Sequence, residues 1–344
     1  MRGLLGSSYK NLTVMVTKIK IGIIGVGMVG GPFKRWFEEI QGYKRGKDLF
    51  CYDVDTKKGY TDDVNKADVV FVSVPTPSNP DGSCNISIVQ SAVAMLKDGK
   101  IVVIKSTVPP GTVEELQKKY PRKKIIFSPE FLTESQVWTD FIKPDRQILG
   151  PTSKSFTETK EILGVLPLAH FSRPWASDYT KKSVNATEAE LAKYASNCFG
   201  YMKVIYGNIL ADVAHGLEQK FQLEKVNSTA DYEKVREVIS ADPRIGPAWL
   251  NVEHGDYSGA GGYCFPKDMN AFIAFIEKDL IASLSKNKKH KTIADSLGKG
   301  VAVLKAIRDY NRSLLKLQGL TEGEVSKHNH DLIVNKRKPI RKKK

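Results

Sequence analysis

Five short runs in the first part of the chain are almost continuously apolar: IKIGII (19–24), LFCYDV (49–54), DVVFVSV (68–74), KIVVIKS (100–106) and KIIFS (124–128). A strand solvated on one face alternates apolar and polar residues. Runs that do not alternate are buried on both faces, which predicts a parallel sheet covered by helices. Between 187 and 220 the pattern changes. Leu191, Tyr194, Ala195 and Cys198 recur at helical spacing and predict one long helix. Thr187 is placed to cap its start, with Glu190 three residues on completing a capping box. Further helices are predicted at 231–240, 269–285 and 297–316. No internal repeat is visible. The stretch between Asp53 and Ala67 is short for a crossover between parallel strands.

At 344 residues the chain exceeds the length at which a single core usually stops growing. We therefore expect a parallel-sheet domain over 19–184 and a mainly helical domain over 185–325. An N-terminal extension (1–18) and a basic tail (326–344) flank them. Composition adds little: 41% of residues are apolar, and no run reaches the length a membrane helix needs. The net charge of +15 is uneven, because Lys336 to Lys344 reads KRKPIRKKK. Such a tail could touch nucleic acid, but a solvated, unstructured terminus is the expected reading. The remaining positive balance suits an anionic ligand. Cys51, Cys84, Cys198 and Cys264 are scattered, without the spacing of a disulfide framework or a metal site, which fits a reducing cytoplasm.

The first strand runs directly into Gly25-Val26-Gly27-Met28-Val29-Gly30, and helical residues follow. A GxGxxG in this strand-to-helix setting binds a dinucleotide: one glycine makes the tight turn, one lets the pyrophosphate approach, one lets helix and strand pack. Asp53 stands at the end of the second strand, at the separation expected for the adenosine ribose hydroxyls. Its charge would repel a 2′-phosphate, so NAD is favoured over NADP. The fold class is thus α/β, a Rossmann-type parallel sheet followed by a helical domain with a long central helix.

Four further segments carry polar residues that a bland fold does not need. Lys105 to Thr112 (KSTVPPGT) and Ser128 to Glu134 (SPEFLTE) each follow a strand, at the edge where such sheets bind ligands. Lys193 and Asn197 lie four apart on the long helix, on one face. Gly259 to Asp268 reads GAGGYCFPKD. A thiol near a helix start and a lysine can have a depressed pKa and act as a nucleophile, although an inert cysteine is the commoner fate.

Taken in order, IGIIGVGMVG, VPTP (74–77), KSTVPPGT, SPEFLTES, AELAKYASNCF, DPRIG (242–246) and GGYCFPKD resemble the UDP-glucose 6-dehydrogenases, within the nucleotide-sugar dehydrogenases. The resemblance spans roughly 19 to 270. It implies oxidation of a sugar C6 alcohol to the carboxylate in two hydride transfers to NAD. By resemblance Cys264 is the nucleophile of a thiohemiacetal and thioester, and Lys193 and Asn197 stabilise the oxyanion. Glu130, Thr107 and Asp268 position or deprotonate water and alcohol. Thr76, Lys58, Thr107, Glu134 and Lys267 join the glycine turn and Asp53 around the cofactor. The substrate side is Glu130, Phe131, Leu132, Thr133, Glu134, Lys193, Asn197, Arg244, Tyr257 and Gly261, with no metal, and the long helix implies a homodimer.

The family carries a third, C-terminal UDP-binding domain, and the residues after Asp268 show no alternation of strand and helix. That domain is therefore expected to be absent. The loop between Arg244 and Cys264 is longer than in short members. Alternatives stay open: a non-catalytic NAD or nucleotide-sugar binder, or a dehydrogenase acting on GDP-mannose or an N-acetylated UDP sugar. A β-hydroxyacid dehydrogenase would need no GGYCFPKD. A nucleic-acid-binding protein would rest on the tail alone.

Overall fold

The computed structural model describes residues 18–169, 171–173, 183–254 and 257–326. The N-terminal extension apart from Lys18, and the basic tail apart from Ser326, lie outside the described residues.

All five apolar runs form strands: β1 (Ile21–Ile24), β2 (Leu49–Tyr52), β3 (Val69–Val72), β4 (Ile101–Ile104) and β5 (Lys124–Phe127). They are parallel, in the order β2-β1-β3-β4-β5. Two later strands are β6 (Arg146–Ile148) and β7 (Gly150–Pro151), and β7 closes the sheet antiparallel to β5. A further strand, β8 (Phe171–Arg173), pairs with β6 outside that sheet.

Continuous apolar sequence is explained by burial on both faces. Val70, Val72, Val102, Ile104, Ile125 and Phe127 face one way. There they meet α2 (Ser87–Ala94), α3 (Thr112–Lys119) and the start of α6. Ile21, Ile23, Val69, Phe71, Val103 and Ile126 face the other way. They meet α1 (Gly30–Arg35), α4 (Val137–Ile142) and α5 (Thr159–Val165). The short link after Asp53 crosses from β2 to β3 with two single 3-10 turns, Thr56–Lys58 and Val64–Lys66, in place of a helix. Because β1 lies between β2 and β3, the sheet reverses direction of build at β1. A crevice opens there at the carboxyl ends of the strands.

The long helix α6 (Ala186–Leu223) dominates the second half. Its cap differs from expectation. Asn185, not Thr187, accepts from the Glu188 amide, and Glu188 completes the box. Glu190 is thereby released from capping its own helix. Fully buried, it accepts from the amides of Gly111 (2.6 Å) and Val113 (2.9 Å) at the start of α3, tying the two halves together. Next come α7 (Tyr232–Ser240) and a hairpin of β9 (Glu253–His254) and β10 (Tyr257–Ser258), which occupies the lengthened loop.

α8 (Phe265–Phe275) starts earlier than predicted, because Pro266 falls in its first turn, where no intrahelical amide is needed. A π-helical stretch over 276–281 leads into α9 (Ala282–Leu284), followed by α10 (Lys291–Leu317) and α11 (Glu322–Val325). Cys198, Tyr201, Val204 and Ile205 of α6 pack on Met269 and Ile273 of α8 and Val301 of α10. Among the described residues no helix is long and apolar enough to cross a membrane.

Candidate active site

The turn after β1 is decided by sterics. Gly25 has φ +86°, and a Cβ there would lie 2.5 Å from the Ser73 carbonyl oxygen. A Cβ on Gly30 would lie 1.9 Å from the Gly25 carbonyl oxygen. Neither position admits a side chain. Gly27 is different, for a Cβ there meets nothing within 4 Å. Its missing side chain leaves an open cradle over the helix start, the space a pyrophosphate requires.

Asp53, 7% exposed, stands beside this cradle. One carboxylate oxygen accepts from the Val26 amide and the Lys58 ammonium, both at 2.8 Å, and the other accepts from the Asp55 amide at 3.0 Å. Burial works against its charge, yet Lys58 and the two amides outweigh it and hold the carboxyl below its ordinary pKa. An ionised Asp53 with lone pairs to spare fits ribose hydroxyls and disfavours a phosphate. Nearby, Ser73 presents a buried hydroxyl without a hydrogen-bond partner, and Thr76 is buried. These features fit a dinucleotide.

Beyond the turn a cavity of about 520 Å³ opens between the sheet edge, α6 and the start of α8. Predicted residues Met28, Glu130, Phe131, Leu132, Thr133, Glu134, Lys193, Asn197, Gly261 and Cys264 all line it. Behind Asn197 lies Asp268, fully buried. Asn197 Nδ2 donates to Asp268 Oδ2 at 2.5 Å, and Lys267 Nζ donates to Asp268 Oδ1 at 2.5 Å. Lys193 Nζ lies 3.4 Å from Asn197 Oδ1. One chain of polar contacts thus runs Lys193–Asn197–Asp268–Lys267 alongside the thiol, from α6 into the first turn of α8. The Lys267 ammonium is enclosed, which disfavours its charge, but Asp268 more than compensates and holds its pKa up.

Cys264 caps α8. The residue is open to the cavity, while dense protein surrounds it on its other sides. That enclosure, followed by the charge of Asp268, pushes the thiol pKa up; Lys193 and Lys267 pull it back without reversing the shift. The depressed pKa expected from a helix start and a lysine is therefore not met. Burial and the Asp268 charge together outweigh the pull of the two lysines.

Glu130 reaches the cavity from the end of β5, and its Oε1 accepts from the Phe131 amide at 3.0 Å. Its Oε2 pairs at 3.2 Å with Lys105, whose ammonium is buried and also donates to Ser128 Oγ at 3.0 Å. Lys105 has no role among the expectations drawn from the sequence. The signal was present: a lysine at the end of a run of valine and isoleucine needs a buried partner. Burial pulls this lysine's pKa down, and Glu130 opposes the shift. Thr107 lies on the neighbouring loop, its carbonyl 3.7 Å from the Cys84 sulfur.

Two predicted residues fall elsewhere. Arg244 is 88% exposed at its side chain and forks onto Asp242 (2.6 Å), away from the cavity lining. Tyr257 lines an adjoining cavity of about 480 Å³ that shares Trp249, Gly261 and Phe265 with the first. Its hydroxyl lies where a Cβ on Gly261 would be (1.8 Å), so that glycine is required, and burial pushes the phenol up to about 12.

Comparison with known proteins converges with this geometry. Residues 56–163 match the NAD-binding domain of the UDP-glucose/GDP-mannose dehydrogenase family, and residues 187–290 match its central domain. The chain is 30% identical over 271 residues to a UDP-glucose 6-dehydrogenase of Rickettsia bellii, covering 71% of this chain and 57% of that one. It is 32% identical over 310 residues to UDP-glucose 6-dehydrogenase 2 of Arabidopsis thaliana, covering 75% and 59%. Among solved structures, a UDP-glucose dehydrogenase from Pyrobaculum islandicum superposes with a TM-score of 0.65 at 26% identity, over 87% of this chain and 69% of that one. The chain thus spans somewhat over half the length of the two curated relatives.

Proposed function

Since the chain belongs to the UDP-glucose/GDP-mannose dehydrogenase family, with two family domains matched over more than half its length, we propose that it oxidises the C6 alcohol of a nucleotide sugar to the carboxylate with NAD, and that UDP-glucose is the substrate. The observation that carries the reading is the convergence of Cys264, Glu130 and the Lys193–Asn197–Asp268 contacts on one cavity beside the glycine turn.

Two NAD, bound one after the other, would supply the hydride acceptors for the two oxidations. The Gly25–Gly30 turn with Asp53 and Lys58 would hold the adenosine end of each, and Thr76, Thr107, Glu134 and Lys267 its reacting end. Loss of the first hydride and the alcohol proton leaves an aldehyde. The Cys264 sulfur then bonds to the aldehyde carbon, and the thiol proton passes to the carbonyl oxygen, giving a thiohemiacetal. Loss of a second hydride and a proton leaves a thioester. Water adds to its carbon, the C–S bond breaks, and the carboxylate, the thiol and a proton are released.

Lys193 and Asn197 serve the oxygen that gains negative charge in each addition. Glu130, held by Lys105, is the group placed to take the proton of the attacking water, with Thr107 and Asp268 positioning. Because the resting thiol is held protonated, its attack needs base assistance at the moment of addition.

A homodimer is part of the proposal. Leu191, Phe199, Tyr206, Ile209, Val213 and Leu217 are all exposed and fall on one stripe of α6, which a second copy would cover.

The test is a panel of UDP-glucose, GDP-mannose and N-acetylated UDP sugars, following NADH and acid product. The expected outcome is two NADH per UDP-glucose oxidised. One NADH per sugar would rule out the four-electron course. No NADH from any sugar, with NAD binding intact, would leave a non-catalytic binder.

A further inference from the structure

The cations around the cavity are mostly matched by carboxylates: Lys105 by Glu130 (3.2 Å), Lys267 by Asp268 (2.5 Å) and Lys58 by Asp53 (2.8 Å). Arg146, at the start of β6, breaks the pattern. It lines the same cavity, and its guanidinium stacks 3.7 Å from the centre of the Phe131 ring. Among the described residues its guanidinium makes one hydrogen bond, at 3.4 Å, to Ser196 Oγ, one helical turn past Lys193. Among the described residues it forms no ion pair. Lys193 Nζ stands 5.2 Å from the same ring and likewise has no carboxylate partner there. Two cations with no ion-paired carboxylate among the described residues therefore share one aromatic ring on the cavity wall.

A guanidinium does not lose its proton in a protein. Half-buried and with no carboxylate in ion-pair contact among the described residues, it has given up hydration that an entering anion would replace. The local acids do not serve. Asp140 accepts from the Thr133 amide at 2.8 Å, and Asp145, which acts on Arg146 through its charge, is exposed, where water screens it. The anion can be specified on the reading above, because a nucleotide sugar brings a diphosphate and, within this chain, Arg244 lies outside the cavity beside Asp242. We propose that Arg146, stacked on Phe131, is the anion-binding group of this cavity and takes a phosphate of the nucleotide's diphosphate through its two-pronged donor face. The stacking fixes the plane of the fork, so that lysine, a point charge, is an incomplete substitute.

The experiment is calorimetric titration of the whole protein, and of Arg146→Met and Arg146→Lys, with UDP, uridine, inorganic pyrophosphate and NAD. Arg146→Met is expected to raise the Kd for UDP about 10- to 100-fold, the range of a charge-assisted hydrogen-bonded contact. Uridine and NAD affinities stay unchanged, the latter showing that the variant is folded, and Arg146→Lys recovers part of the loss. Equal UDP affinity in Arg146→Met and the parent, or parallel losses for UDP and uridine, would overturn the subsite. Arg146-dependent binding of pyrophosphate without binding of UDP would support the subsite while refuting the nucleotide-sugar reading.

Discussion

The turn after β1 is specified within six consecutive residues, Gly25 to Gly30, whereas the cavity beside Cys264 draws its polar groups from stretches as far apart as Lys105 and Asp268. The first is a matter of excluded volume: two of its glycines are forced by carbonyl oxygens inside 3 Å, and the third is left open for a ligand. The second is a matter of paired charge, in which Lys105 is set against Glu130 and Lys267 against Asp268. A steric device tolerates no added atom but is insensitive to pH. An electrostatic one accepts small changes of shape but depends on every partner being present and correctly ionised.

The sharpest way to break that contrast is within the turn itself. Gly30→Ala places a methyl 1.9 Å from a backbone oxygen, and is expected to cost about 3 kcal/mol or more, unfolding or loosening the parallel sheet in thermal melts. Gly27→Ala places the same methyl in open space. Its melting point should stay close to that of the parent, while the Kd for NAD rises about 10-fold, since the methyl takes space the pyrophosphate needs. Similar melting points for the two variants would mean that the turn is not sterically set.

A smaller effect is expected where α3 meets α6. Burial, with Glu114 and Glu115 adding to it, pushes Glu190 from 4.5 up to about 8, although the Gly111 and Val113 amides oppose the shift. Folding then takes up a proton between those values. The contribution of the carboxyl is full below pH 4.5 and is lost as pH rises toward 8. Glu190→Gln removes the titration and, because an amide has one acceptor oxygen for two donors, costs about 1 kcal/mol at acid pH. Melts at pH 5 and pH 8 should show a flatter pH dependence in the variant. An unchanged slope would show that Glu190 is ionised in the folded protein throughout.

The legibility of each region followed from the same difference. Five strands, the glycine turn and Asp53 could be read because periodicity and excluded volume act over a few neighbouring residues. The face shared by Lys193 and Asn197 could be read for the same reason. The exchange of Glu190 for Asn185 and Glu188 at the cap of α6 could not, because α3, which claims Glu190, lies far away in sequence. The same holds for Arg146, whose ring partner Phe131 lies outside its strand, and for the upward shift of Cys264, which comes first from burial and then from the charge of Asp268. Arg244 shows the reverse: a motif match locates the residue, while its side chain in this chain pairs with Asp242 outside the cavity lining.

The central claim is that Cys264 carries the covalent step. The most direct measurement is acid product formed from UDP-glucose and NAD by Cys264→Ser protein, beside mass analysis of acid-quenched parent protein. The account predicts that product formation falls at least about a thousandfold in the variant, and that a sugar-nucleotide adduct appears on the Cys264 peptide of the parent during turnover. Acid formation by Cys264→Ser at the parent's rate would contradict it.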